Sequence, residues 1–83
     1  MREYTRQAIL DKFERTFEVL NRHRSFLEEM ELESDNETMK VYFLGLLRAL
    51  IFDVVGSLED RIVHWSEVQD VARQALSTLE RRL

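Results

Sequence analysis

Between Val41 and Val55 the chain reads Val-Tyr-Phe-Leu-Gly-Leu-Leu-Arg-Ala-Leu-Ile-Phe-Asp-Val-Val, a stretch that is apolar around nearly its whole circumference when wound as an α-helix. A surface helix needs only one apolar stripe, whereas one that is apolar all round must be covered on several sides. A chain of 83 residues has few other elements to do the covering. Part of that surface is therefore expected to meet another chain.

The rest of the sequence sets few obstacles to helix. Proline is absent, and glycine occurs only at positions 45 and 56. Leu, Glu and Arg, which lose little rotamer freedom in a helix, are abundant. There is no cysteine, so neither a disulfide nor a thiolate metal site can supplement a core that is marginal at this length. The remaining sources of stability are helix packing and oligomerisation. The expected fold is all-α, a single domain over residues 1–83, forming a three-helix antiparallel bundle completed by dimerisation.

The first helix is predicted over about 5–30. Apolar residues recur there at Ile9/Leu10, Phe13, Phe17, Leu20 and Leu27, the alternation of three and four that marks one helix face. Asp11 and Arg15, Glu18 and Arg22, and Arg24 and Glu28 stand four apart with opposite charge on the solvent side. Glu28–Glu37 then collects six acids with no base among them, as expected of a solvated turn. Ser34 with Glu37 forms a capping box, with Asp35 and Asn36 as competing caps, so the second helix is predicted over about 36–59.

On a wheel, Phe43, Leu44, Leu46, Leu47, Leu50, Ile51, Val54 and Val55 share a broad face that suits the core. The opposite half carries Gly45, Ala49 and Gly56 close to one line, flanked by Val41, Tyr42, Arg48, Phe52 and Asp53. Small residues in a line let a second helix approach closely. Gly56-Ser57 weakens the helix beyond, and Ser66 with Gln69 offers another cap, which places the third helix at about 66–81. A continuous helix from 36 through 82 is the competing reading. Trp65, the single tryptophan, stands beside the predicted start either as a plug for the turn or as an anchor for a partner, a role in which Trp is enriched.

No chemistry-bearing motif emerges. The two histidines lie in separate elements. His64, with Asp60 four residues before and Glu67 three after, has metal-ligand spacing without a further strong ligand. There is no Glu-x-x-His, no glycine-centred calcium loop and no glycine-rich phosphate loop. Catalytic, metal and cofactor residues are accordingly not expected. A net charge of −4 argues against an unaided grip on nucleic acid, although Arg22, Arg24, Arg81 and Arg82 form small basic pairs. The apolar run, broken by Arg48 and Asp53, falls short of the ~20 residues that cross a bilayer.

The expectation is a cytoplasmic, small acidic helical module that binds protein as a regulator, adaptor or inhibitor. It is expected to be a homodimer whose interface uses Val41, Tyr42, Gly45, Arg48, Ala49, Phe52 and Trp65. Two alternatives are a nucleic-acid-binding transcriptional regulator and a structural subunit of a hetero-complex. Neither a membrane nor a cofactor enters the expected picture.

Overall fold

A computed structural model describes all 83 residues, Met1–Leu83. The chain is all-helical: α1 spans Glu3–Thr16, a 3-10 turn follows over Phe17–Val19, and α2 continues over Leu20–Glu29. After a short turn come α3, Asn36–Glu59, and α4, Trp65–Arg82. The Arg2 backbone N–H reaches Glu59 at the far end of α3, and the Asn36 side chain reaches the Leu83 carbonyl. These two contacts fix the arms as antiparallel neighbours, with α1 packed on α3 and α4 on both.

The predicted first helix is not continuous. Thr16 turns its hydroxyl back onto the Phe13 carbonyl at 2.6 Å, a side-chain bond that competes with the helical ladder and favours a bend. Val19 then leaves helical geometry at φ −118°, ψ 36°. Between them the Phe17 ring stacks on Phe43 with centroids 4.6 Å apart and meets the edge of Phe13 at 5.3 Å. Aromatic packing thus wins over helix continuity. None of the three ion pairs expected on the solvent face forms; Glu14 instead lies 3.8 Å from both Arg81 and Arg82 on α4.

The turn into α3 is closed by chain geometry rather than by glycine. Glu31 takes the left-handed conformation at φ 59°, while its N–H donates to the Glu28 carbonyl and that of Leu32 to the Leu27 carbonyl. This is a Schellman ending with a glutamate where glycine is usual. Asp35, rather than Ser34, caps α3 by accepting from the Thr38 N–H at 3.3 Å. The Thr38 hydroxyl, which also donates to this carboxylate, and then the backbone bond hold the Asp35 carboxyl below its ordinary range. Ser34 donates to Glu28 instead.

The second turn breaks α3 from α4, against the continuous alternative. Asp60 is left-handed at φ 50°, Val63 is buried as the plug, and Ile62 is left 83% exposed. α4 starts at Trp65, one residue before the expected position, because the Glu67 carboxylate caps the His64 N–H.

Six core residues come from α3: Met39, Phe43, Leu47, Ile51, Val54 and Val55. Around them sit Ile9, Phe13 and Phe17 from the first arm, Leu27 from α2, and Val68, Val71, Ala75 and Leu79 from α4. Leu44, Leu46 and Leu50, expected inside, are half-buried against this cluster. The 24 residues of α3 extend about 36 Å. An 18-residue window within it has a mean hydropathy of 1.8, of which 28% is buried in the bundle. By length and composition alone α3 meets the measure of a membrane-crossing helix, a measure that the core helix of a bundle also meets, and its inner residues form the core of this one.

Candidate functional site: the outer face of α3

The outer face of α3 is bare. Val41 is 72% exposed, Phe52 42% and Trp65 58%, and Gly45, Arg48, Ala49 and Gly56 are exposed between and beside them. α4 packs on α3 along Leu47 and Ile51 instead, leaving a narrow apolar groove of about 220 Å³ between Leu44, Trp65, Val68 and Ala72. Trp65 therefore does not plug the turn. It lies on one side of the Arg48 guanidinium, 5.6 Å from the ring centre, with the Phe52 ring at 5.9 Å. Cation–π contacts of this kind at exposed sites contribute about 0.5–1 kcal/mol each, which biases the guanidinium toward the rings while leaving it free to turn to a partner.

Tyr42 behaves differently from the other six residues expected at this face. It is half-buried, and its hydroxyl shares a 2.8 Å hydrogen bond with His23 Nδ1 on α2. The His23 ring also meets the edge of Phe43 at 5.2 Å. Tyr42 and His23 thus fasten α2 to α3. On the far side of the face Leu46, Ala49, Leu50 and Asp53 border a second recess with Thr16 and His23, about 330 Å³.

Both glycines of the chain lie on this face. A Cβ built at Gly45 or Gly56 meets nothing within 4 Å. Neither has a positive φ, so neither turn geometry nor internal packing calls for glycine there. A glycine inside a helix costs roughly 0.8–1.0 kcal/mol relative to alanine. Nothing within the chain offsets that cost.

A polar cluster at the other end of α3 was not legible as such in the sequence. The Arg61 guanidinium donates to both Glu67 carboxylate oxygens, at 2.9 and 2.6 Å, and to Glu59 at 3.0 Å. The N-terminal ammonium lies 2.9 Å from Glu67. The Glu59 carboxyl is drawn down to about 2, chiefly by the Arg2 backbone N–H at 2.9 Å, with the Arg61 guanidinium adding to it. Arg61 holds Glu67 lower still, helped by the N-terminal ammonium and the His64 N–H, and is itself raised by Glu67. The spacing of His64 to Glu67, read as possible metal ligation, serves the helix start. The chain brings together no group of three or more His, Asp or Glu side chains positioned to hold a metal ion.

The basic residues weighed for nucleic acid are split. Arg81 and Arg82 face Glu14, with Arg82 also 5.5 Å from the Phe17 ring centre. Comparison with known protein families, characterised proteins and solved structures finds no match to the chain.

Proposed function

We propose that the chain is a small helical protein–protein interaction module, acting as a regulator, adaptor or inhibitor, that self-associates through the outer face of α3. The observation that carries this reading is the contiguous exposed surface of Val41, Gly45, Ala49, Phe52 and Trp65 on a bundle whose own helices are already packed elsewhere. Soluble monomers rarely leave a large apolar patch open, and aromatic residues with an arginine are the types enriched at interface centres. A two-fold pairing, in which one patch meets itself, is the simplest closed assembly.

Light scattering over a range of concentrations tests the reading. The expected mass at high concentration is twice the 10.0 kDa of one chain. Ala49→Glu places a charge in the middle of the face and returns the protein to monomer with its helical content unchanged. A wild-type mass that stays at one chain throughout rejects self-association.

A further inference from the structure

Resting on self-association through α3, we infer that the occupant of this face is a second copy of the chain lying parallel, with Arg48 of each copy paired to Asp53 of the other. Gly45, Ala49, Phe52 and Gly56 follow one another at steps of four, three and four residues, the spacing of a two-stranded seam. Arg48 immediately precedes Ala49 and Asp53 immediately follows Phe52, so at 100° per residue they stand roughly 70° to either side of that seam. These are the positions from which charged residues reach across to a partner helix.

Both charges are exposed, and neither forms an ion pair within its own chain. Direction follows from symmetry. When two identical helices pair in parallel, the left flank of one meets the right flank of the other, and a residue contacts one five positions further on. That brings Arg48 to Asp53 of the second copy, twice. When they pair antiparallel, each flank meets its own kind, which sets Arg48 beside Arg48 and Asp53 beside Asp53.

Size agrees with charge. Gly45, Arg48, Ala49 and Phe52 border an open dish on the face, and i, i+3, i+4, i+7 is the outline of a hole that accepts one knob. In parallel register its knob is Ala49. The larger Phe52 enters the hole formed by Ala49, Phe52, Asp53 and Gly56 of the second copy, where two small residues leave room for a ring. The two glycines that the monomer does not need are then the places where the backbones come closest.

The absence of cysteine lets a single introduced thiol report on direction. Glu37 is exposed in the first turn of α3, so Glu37→Cys carrying a nitroxide marks that end, and pulsed dipolar spectroscopy reads the distance between copies. Parallel pairing sets the two α3 axes about 8–10 Å apart and the labels side by side at the same end. Antiparallel pairing centred near Ala49 separates the labels by about 36 Å along the helix at 1.5 Å per residue. A dimeric mass with the long distance overturns the parallel inference and leaves self-association standing; a monomeric mass for the wild type removes both. Charge exchange is the second arm. Arg48→Glu raises the dimer dissociation constant at least tenfold, and adding Asp53→Arg restores it. A weakened single variant that the double variant does not rescue overturns the Arg48–Asp53 pairing.

Discussion

Replacing Gly45 by alanine separates what the fold requires from what an assembly requires. Gly45 sits in the interior of α3, its neighbourhood is open to solvent, and a Cβ there meets no atom within 4 Å. The full propensity difference between the residues, roughly 0.8–1.0 kcal/mol, is therefore available with no steric offset. For a domain of this size a gain of ~1 kcal/mol raises Tm by about 4–8 °C. Urea denaturation followed by circular dichroism, at dilutions where the protein is monomeric, should show a higher midpoint with an unchanged slope. The same substitution should weaken self-association, since it thickens the seam where backbones approach. A lower midpoint in dilute solution would mean that the bundle itself needs glycine at this position, and the argument that its reason lies outside the monomer would be wrong.

Two further outcomes concern the turns. Glu59 has its carboxyl lowered to about 2 and Glu67 lies lower still, against 4.5 when unconstrained. A depressed carboxyl stabilises the fold above its unfolded pKa and loses that contribution as pH falls toward the folded value. Tm should therefore hold steady above about pH 5 and fall between about pH 4.5 and 2. Arg61→Met should flatten that decline, and an equally steep profile in the variant would show that the acids draw nothing from the guanidinium. At the other turn, Glu31→Gly relieves a left-handed glutamate whose backbone already makes both Schellman bonds. The expected gain is about 0.5–1 kcal/mol in urea denaturation, because the strain removed exceeds the added freedom of the unfolded chain; no gain, or a loss, would mean that the Glu31 side chain contributes more than its backbone costs.

How much of this was legible depends on the range over which each residue acts. α3 could be placed at 36–59 because its start is a local signal, acids and small polar residues before an apolar run, and Gly56-Ser57 weakens the helix shortly before its end. The centre of its buried face followed from the wheel for the same reason, since Phe43, Leu47, Ile51, Val54 and Val55 recur at helical spacing, whereas Leu44, Leu46 and Leu50, placed on the same face, lie half-buried at its edges. The break at Phe17–Val19 was not legible, because the ring that decides it stacks on Phe43, 26 residues away in sequence, and periodicity records only what lies on the same helix. Tyr42 was assigned to the outer face by angle alone. Its hydrogen bond to His23 depends on where α2 lies after the break, which no local pattern specifies. The Arg61 cluster joins residues from both sides of a turn with the chain start, so only Glu67 beside His64 gave any trace of it.

The position of α3 makes it a wall with the core on one side and open solvent on the other. Six of its side chains form the centre of the bundle, while Val41, Gly45, Arg48, Ala49, Phe52 and Asp53 on its other side are left bare. Whatever binds that outer surface, and does not bind the unfolded chain, holds the core together by mass action. At a hundred times its dissociation constant a ligand adds about 2.7 kcal/mol, against a total of roughly 4–12 kcal/mol for a chain of this length. The lifetime of the protein against proteolysis then becomes a measure of how much of its partner is present.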